Sequence, residues 1–400
     1  MATPNRTTLH DLRGAARLAV DATVGITDLV EKMHHTIQLV HPPLGASRAD
    51  STRGLTGLIY RTIRGTTRLV GKGLDAGLAP MAALFPEGES PAARDHWVSA
   101  INGVYGDHLE QTGNPLAIEM GFRHGGQRVE PERPAEAIDD AGGKLLVIVH
   151  GLCMNDLQWT RDGDNRIEAV AAERGYTPVY LRYNTGRSIA ANGREFSDLL
   201  ETLLTYWPEP LQELAIVGHS MGGLVARSAS HHGRLAGHAW RDSLRRLLFL
   251  GTPHHGAPLE RGGHRLDYVM ELSPYVAPFT SLGKARSAGI TDLRYGSITD
   301  DDQEFVPLPD DVECYALAAT LGKRRSVVAE RLVGDGLVPL DSALGRHRDA
   351  ARTLAIPKER QWVGYEMGHL DLLGRDEVYA ELSRRIRRAA PPRRKARMSQ

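Results

Sequence analysis

Ser220 has the sequence setting of an activated nucleophile. It stands in Gly-His-Ser-Met-Gly, between an apolar run at residues 213–218 and a stretch rich in Ala, Leu and Val. Such a serine occupies a sharp strand-to-helix turn and presents its hydroxyl above the edge of a sheet, in a strained conformation that flanking glycines permit. So short a pattern also arises by chance in a chain with 42 glycines, and the alternative is a serine that caps a helix.

An acid and a base follow Ser220 along the chain in the order that a catalytic triad on such a sheet requires. His369 lies in Gly-His-Leu-Asp, directly after an apolar run, where a near-neutral base can accept the serine proton and later deliver it to the leaving group. Asp335 lies between two glycines on a tight turn, which suits an acid that orients the histidine. The alternatives for the acid are Asp310, Asp311 and Asp341.

The segment Val-Ile-Val-His-Gly-Leu, which ends at Leu152, predicts an oxyanion site. Acyl transfer needs backbone N–H groups where negative charge develops, and Gly151 lets the chain approach the substrate closely. We assign the two donors to the backbone amides of Leu152 and Met221. Cys153 adjoins this loop but lacks the strand-to-helix setting of Ser220, which favours a small buried residue over a second nucleophile.

Two further residues near these motifs have open roles. Arg187 follows an apolar run and either lines the substrate entrance or precedes the start of a helix. His219, inside the Ser220 motif, is expected to pack or hydrogen-bond beneath the site. The histidines at 231, 232 and 347 are interpreted as surface or helix residues.

Short apolar runs separated by helix-length segments make up the chain from residue 144 on. They are rich in Val, Ile and Leu, the composition of parallel strands buried on both faces. The pattern predicts an α/β fold with a mostly parallel central sheet flanked by helices, whose strand ends carry the candidate site. The runs cover residues 144–150, 177–182, 213–218, 246–251, 312–318 and 361–365.

A helical pattern precedes this sheet. Apolar residues at spacings of three and four predict a helix over residues 53–74, and further helices are expected over 9–39 and 92–108. The helix at 53–74 carries four arginines, at 53, 61, 64 and 68, and a lysine at 72, so it either packs on protein or contacts a membrane surface as a peripheral element. Residues 121–143 predict either irregular early strands or a domain boundary.

The domain organisation follows from these changes in pattern. We expect an N-terminal helical region at residues 1–120 and a catalytic domain at residues 121–385. The last residues, 386–400, form a basic and proline-broken tail that predicts a solvated or disordered end rather than a nucleic-acid arm.

The charge balance argues against nucleic-acid binding. Lys plus Arg and Asp plus Glu number 49 each in 400 residues, and no basic stripe with interleaved aromatic residues occurs in the central region. Two cysteines are too few for a disulfide framework, which favours a reducing compartment. The sequence has no signal-type N-terminus and no run of ~18 apolar residues, so we expect a cytoplasmic protein, with at most peripheral membrane contact.

These motifs together resemble the α/β-hydrolase superfamily, and within it the bacterial triacylglycerol lipases and the lipase-like GPI inositol-deacylase group. The likeness covers roughly residues 144–385 and also includes Gly-Thr-Pro-His-His-Gly at residues 251–256. It implies an α/β-hydrolase fold, a triad of Ser220, Asp335 and His369, and no organic cofactor.

The resemblance also suggests a lid over the acyl pocket at residues 257–305, where the alternative is an ordinary crossover helix with a long loop. Some lipases of this kind hold a structural calcium through an aspartate two positions after the catalytic histidine, which corresponds to Asp371. The acids at residues 300–302 lie at a suitable interval, but three adjacent acids on a loop are usually solvated. We therefore expect no metal.

The expected function is a serine carboxylic-ester hydrolase, an esterase or lipase of lipid metabolism, that acts through an acyl-enzyme on an apolar acyl ester. The same triad suits an acyltransferase or a thioesterase, because the fold hosts all of these activities. A different class of function is a non-catalytic module that binds lipid surfaces or proteins through the basic helix 53–74.

Overall fold

The structure is a computed structural model that describes residues 92–161, 163–257, 287–302, 304–323 and 334–387, together with isolated positions between residues 13 and 68. The predicted helices at 9–39 and 53–74 lie outside the described residues, apart from those isolated positions. The same holds for the tail from residue 388 on and for most of the predicted lid, residues 258–286.

The described residues divide into two compact units. The larger unit holds residues 92–107 and those described from 118 on, and it contains the sheet. In the smaller unit, which includes residues 108–117, the Arg17 guanidinium donates a hydrogen bond to the Gly113 carbonyl at 2.9 Å. There the Asn114 side-chain amide also donates to the Gly14 carbonyl at 3.1 Å. The placement of a domain boundary at residue 120 stays a prediction.

An eight-stranded sheet forms the centre of the larger unit, within the part of the chain that is described. The strands are β1 Gly121–His124, β2 Gln127–Val129, β3 Lys144–Val149, β4 Thr177–Arg182, β5 Glu213–His219, β6 Leu244–Leu250, β7 Glu313–Thr320 and β8 Gln361–Tyr365. Their spatial order is β2-β1-β4-β3-β5-β6-β7-β8, and the strands from β3 to β8 run parallel, whereas β1 is antiparallel to β4.

Each of the six runs predicted from residue 144 on coincides with a strand of this sheet, which confirms the mostly parallel α/β fold. The segment predicted as either early strands or a boundary forms the β1–β2 hairpin. Its turn residues, Gly125 and Gly126, have φ values of 54° and 79°. A tight hairpin turn of this kind requires positive φ at both central residues, and glycine adopts it without strain.

Helices cover both faces of the sheet because successive strand residues point to opposite sides. On β3, Val147 and Val149 join the core beneath one set of helices, whereas Leu146 and Ile148 join the core on the other face. The described helices are α1 Ala92–Gln111, α2 Arg166–Glu173, α3 Ile189–Thr205, α4 Met221–Ala236, α5 Ala288–Tyr295, α6 Leu340–Ala343 and α7 Asp376–Arg387. Helices α1, α3 and α4 cover the face of Val147 and Val149, and α2 and α7 cover the face of Leu146 and Ile148.

Helix α1 confirms the helix predicted over residues 92–108 and extends it to Gln111. None of the helices in the described part of the chain combines the length and the apolar character that a membrane span requires.

The strand ends that carry the candidate site lie in one row. Val149 at the end of β3 pairs with Gly218 of β5, and His219 pairs with Leu250 at the end of β6. The residues that follow these strands therefore leave the sheet side by side at its carboxyl edge, which is where open parallel sheets assemble their sites.

A buried ion-pair network ties the strands together towards the opposite end of the sheet. The Arg246 side chain is 1% exposed and forms ion pairs with Glu213, at the start of β5, and with Glu313, at the start of β7. Its Nε lies 3.3 Å from Glu313 Oε2, and the Tyr176 hydroxyl donates to Glu213 at 2.6 Å. One guanidinium thus bridges two carboxylates from the neighbouring strands.

Replacing Arg246 with leucine should destabilise the fold by about 3–5 kcal/mol, because the Glu213 carboxylate loses the cation with which it pairs, whereas Glu313 keeps Arg360 at 3.1 Å. Chemical denaturation of the variant and the wild type measures this loss. The matched control is Arg245→Leu, next to it on β6, where the guanidinium donates to the exposed Asp242 carbonyl. Equal losses in the two variants would contradict the role given to the network.

Candidate active site

Ser220 occupies a strained turn between β5 and α4. Its φ and ψ are 54° and −124°, and it is one of three described non-glycine residues with positive φ. It stands at the N-cap position of α4, yet its side chain makes no capping hydrogen bond. The geometry therefore argues against the interpretation of Ser220 as a helix cap, and strain of this kind is typical of functional turns.

Glycines make the turn possible because backbone atoms meet there directly. A Cβ added at Gly222 would lie 2.4 Å from the Val149 carbonyl oxygen, and one added at Gly218 would lie 2.5 Å from the Gly223 nitrogen. Both distances are shorter than any real side chain tolerates. Both positions therefore require glycine. Gly222 lies against the backbone at the end of β3, and Gly218 lies against the backbone of the turn itself.

Asp335 and His369 form a direct hydrogen bond. His369 Nδ1 lies 2.7 Å from Asp335 Oδ2, and Asp335 Oδ1 accepts the backbone N–H groups of Leu337 at 3.0 Å and Val338 at 2.7 Å. An ionised carboxylate only accepts, so Nδ1 of His369 carries the proton and Nε2 presents its lone pair. The His369 amide also donates to the Asp335 carbonyl at 3.1 Å.

The other acids weighed for this position lie elsewhere. Asp311 pairs with Arg241 at 3.3 Å and Asp341 with Arg346 at 3.6 Å, while Asp310 is exposed. Among the candidate acids, the structure brings Asp335 to His369.

The loop that carries His369 is shaped by its own backbone contacts. Met367 donates to the Thr320 carbonyl at the end of β7, at 3.0 Å. The Asp371 carboxylate accepts the Gly368 amide at 2.9 Å and lies 3.6 Å from the Arg375 guanidinium. Asp371 therefore fixes the turn into the short helix His369–Leu373.

The residues next to Ser220 contact His369. The rings of His219 and His369 have centroids 4.7 Å apart, and His219 Nε2 lies 3.4 Å from the His369 carbonyl oxygen. The Ser220 amide donates to the Leu250 carbonyl at 2.8 Å, and a Cβ at the following Gly251 would lie 3.1 Å from His369 Cε1. His219 thus packs beneath the site as predicted, and the Ser220 turn and the His369 ring are neighbours.

The Ser220 hydroxyl and the Nε2 atom of His369 are buried without hydrogen-bond partners among the described residues. Ser220 is 0% exposed and His369 is 3% exposed. Burying a polar atom without a hydrogen-bond partner destabilises the folded state, so two such atoms in one place indicate a candidate binding site.

The predicted oxyanion donors flank Ser220. A Cβ added at Gly151 would lie 3.1 Å from Ser220 Cβ, so the turn that carries Leu152 touches the serine. Met221 directly follows the serine as the first residue of α4, where backbone N–H groups have no intrahelical acceptor. Both residues are fully buried.

Cys153 is buried and makes a poor nucleophile. Burial raises the pKa of its thiol to about 12, so the thiol is protonated at neutral pH, whereas the thiolate is the reactive form. The thiol contacts the Ala100 carbonyl of α1 at 3.7 Å.

Tyr183 is a site residue that the motifs did not indicate. Its ring stacks on His150 with centroids 4.5 Å apart, and its hydroxyl donates to the His150 carbonyl at 2.8 Å. The available signal was its position just after β4, at the same sheet edge as the other site residues. Arg187, in the same loop, precedes the N-cap Ser188 of α3 and pairs with Glu195 of that helix.

The segment at residues 251–256, Gly-Thr-Pro-His-His-Gly, packs beside the candidate site. A Cβ at Gly223 of α4 would lie 2.0 Å from Thr252 Oγ1, so this segment packs directly against the helix that follows Ser220. His254 is buried, and its Nδ1 lies 3.4 Å from the Arg227 guanidinium. The Ser342 hydroxyl donates to the Gly256 carbonyl at 2.8 Å.

Several histidines near the strand ends are held neutral by burial. Burial lowers the pKa of His150 to about 4, and it lowers the pKa of His219 and of His254 well below the usual value. Positive charge on His369 lowers the pKa of His219 further. The imidazole that lies against His369 is therefore neutral at neutral pH.

No described group of three or more His, Cys, Asp or Glu side chains has the arrangement of a metal site. Asp371 binds backbone and Arg375 as described above, and Asp300 pairs with Arg194 at 2.7 Å. The expectation of no metal stays a prediction.

The sheet order and the turn at Ser220 define an α/β-hydrolase fold. Residues 140–314 match the family model described as the PGAP1-like alpha/beta domain, which confirms the predicted likeness to this group. No curated protein matches the chain.

Solved structures with low sequence identity are similar to this chain. The mature form of the Bacillus licheniformis lipase BlEst2 is 19% identical over 62% of this chain and 93% of its own, with a TM-score of 0.41. EstE1, a thermostable carboxylesterase from a metagenomic library, is 12% identical over 68% of this chain and 90% of its own, with a TM-score of 0.40. The NocB thioesterase domain is 16% identical over 68% of this chain and 98% of its own, with a TM-score of 0.37.

Burial of neutral histidines should make the fold sensitive to acid. The pKa of His150 is about 4 in the folded chain against 6.5 ordinarily, so between these values the unfolded chain binds more protons. The free energy of unfolding should fall as pH drops from 6.5 to about 4, by up to about 1.4 kcal/mol per pH unit for each such histidine. Denaturation at a series of pH values measures the slope. It should be shallower in His150→Asn, and an unchanged slope would contradict this account.

The strain at Ser220 should appear as a stability difference between two variants at this position. Ser220→Gly should be more stable than Ser220→Ala by about 1 kcal/mol, because only the glycine lacks the Cβ that makes this φ unfavourable, and its own entropy offsets part of the gain. Denaturant midpoints measure the difference. At Ser230, inside α4, the order should reverse because alanine is the better helix former. The same order at both positions would argue against strain at Ser220.

Proposed function

We propose that the chain is a serine carboxylic-ester hydrolase of the esterase or lipase type, acting on an ester with an apolar acyl group. The observation that carries this proposal is the hydrogen bond of 2.7 Å between Asp335 and His369, beside a strained serine whose hydroxyl does not cap its helix. A nucleophile, a base and an acid that orients the base are the parts that covalent acyl transfer needs.

In the first step, Ser220 Oγ attacks the ester carbonyl carbon and His369 Nε2 accepts the hydroxyl proton. Asp335 stabilises the resulting imidazolium through Nδ1. The amides of Leu152 and Met221 donate to the oxyanion of the tetrahedral intermediate. His369 then protonates the leaving alcohol as the ester bond breaks, and an acyl group remains on Ser220.

In the second step, His369 removes a proton from water, and the resulting hydroxide attacks the acyl carbonyl. The tetrahedral intermediate collapses, Ser220 regains its proton from His369, and the carboxylic acid leaves. The balance is one ester and one water converted into one acid and one alcohol.

Burial and apolar neighbours support an apolar acyl group. Leu152, Met154 and Met221 are each at most 1% exposed, and they lie around the serine turn. A Cβ at Gly151 would lie 3.3 Å from the Met154 sulfur, which places this thioether next to the same turn. Charged groups in such surroundings are costly, whereas an alkyl chain gains from leaving water.

Ser220→Ala should abolish hydrolysis of short p-nitrophenyl esters, because it removes the attacking oxygen and leaves the fold intact. A fluorophosphonate probe should label the wild type at Ser220, located by mass spectrometry of the peptides. Ser230→Ala, at another buried serine of α4, is the matched control and should keep both turnover and labelling. Turnover that survives in Ser220→Ala, or a label on another residue, would overturn the assignment.

A further inference from the structure

The turn that carries Leu152 is itself strained. Cys153 has a φ of 59°, which side chains other than glycine rarely adopt. Leu152 and Cys153 are both fully buried, and the Met154 amide closes the turn on the Gly151 carbonyl at 3.3 Å. A buried conformation of this kind persists only when its surroundings hold it in place.

Thr185 holds the turn from one side. The Cys153 backbone N–H donates to Thr185 Oγ1 at 3.2 Å, and Thr185 is 1% exposed. Thr185 lies in the loop after β4, whereas the turn lies after β3, so this bond joins the ends of two neighbouring strands. Without it, the Cys153 amide is a buried donor that has lost its acceptor.

Helix α1 holds the turn from the other side. A Cβ added at Gly103 would lie 2.1 Å from Cys153 Sγ and 3.1 Å from both its Cα and its nitrogen, so the helix backbone lies against the turn. Two residues further on, the Asn155 side-chain amide donates to the Ser99 hydroxyl at 3.1 Å. The turn is therefore in contact with consecutive turns of α1.

We infer that Thr185 and Gly103 are positioning residues, which keep the Gly151–Met154 turn in its strained form and so aim the Leu152 amide at the position of the oxyanion. This inference rests on the proposed function and adds to it a supporting shell that the triad motifs do not contain. Neither residue reaches the reacting atoms. Both act through Cys153, the residue next to the donor.

The expected effect lies on the chemical step rather than on substrate binding. A displaced donor is misaligned with the oxyanion, which exists in the transition state, but the acyl pocket keeps its shape. Removing one oxyanion donor costs about 100-fold to 1,000-fold in kcat, and a misaimed one should cost somewhat less. We therefore expect a loss of about 10-fold to 100-fold in kcat with KM little changed.

Thr185→Val tests this, because valine keeps the shape of the side chain and removes the acceptor. Thr185→Ser keeps the acceptor and should restore most of kcat. The matched control is Thr177→Val, at the other end of β4, where the threonine hydroxyl accepts the Gly142 amide at 3.0 Å. Both valine variants lose the same kind of bond, so their unfolding midpoints should fall similarly, but only Thr185→Val should lose kcat.

Gly103→Ala approaches the turn from the helix side and should also lower kcat. Adding Cys153→Ala to it removes the sulfur that the new methyl group meets, so the double variant should regain part of the loss. If Thr185→Val proves too unstable to assay, this pair of variants supplies the same test.

Hydrogen exchange separates failure of this inference from failure of the proposed function. The amides of residues 151–154 should exchange faster in Thr185→Val than in the wild type or in Thr177→Val, whether or not the chain turns over an ester. A wild type that neither hydrolyses esters nor labels with fluorophosphonate would refute the proposed function alone. Unchanged exchange, or equal kcat in the two valine variants of an active enzyme, would refute the positioning role.

Discussion

The constraint on which the site depends is close backbone contact between the ends of β3, β5 and β6. At Gly222 the start of α4 meets the Val149 and His150 carbonyls, and at Gly151 the following turn meets the serine. A side chain at either position would separate the strand ends by the width of a methyl group or more. The serine hydroxyl and the amides beside it can share one small volume because no Cβ stands between them. The positive φ of Ser220 follows from the same contact, since the chain must reverse within a single residue.

Electrostatics sets a second condition on this volume. The buried imidazole of His219 lies against His369, with ring centroids 4.7 Å apart, and His150 in turn acts electrostatically on His219. Burial lowers the pKa of both His150 and His219, whereas His369 has the Asp335 carboxylate at its Nδ1, at 2.7 Å. Among these three imidazoles, His369 is the one that is hydrogen-bonded to a carboxylate, and it is the one that we propose as the base. Its neighbours supply shape and hydrogen bonds without competing for the proton.

Local patterns made much of the arrangement predictable. The strands appear in the sequence as short apolar runs because both of their faces are buried. The Ser220 motif and the Gly-Asp-Gly turn could also be recognised because each is a continuous stretch of sequence. Thr185, Tyr183 and Gly103 could not be predicted in this way. Each acts on a residue that lies 30 or more positions away along the chain, through a single hydrogen bond or contact. Contacts between residues so far apart in sequence depend on which strands become neighbours in the sheet. The order of the strands cannot be recognised from the sequence around the residues involved.

The site also extends beyond the part of the chain that the family model covers. The matched residues, 140–314, contain Ser220 and the proposed oxyanion turn, but they end before Asp335 and His369 and begin after α1. The acid and the histidine come after the match because they follow the last two strands, as the order of the fold requires. Helix α1 comes before it, yet its Gly103 contacts the turn that carries Leu152. Since that turn is strained at Cys153, the geometry of the proposed oxyanion site depends on a helix outside the matched domain. A fragment limited to the matched residues would therefore lack both the proposed base, His369, and one of the supports of the turn.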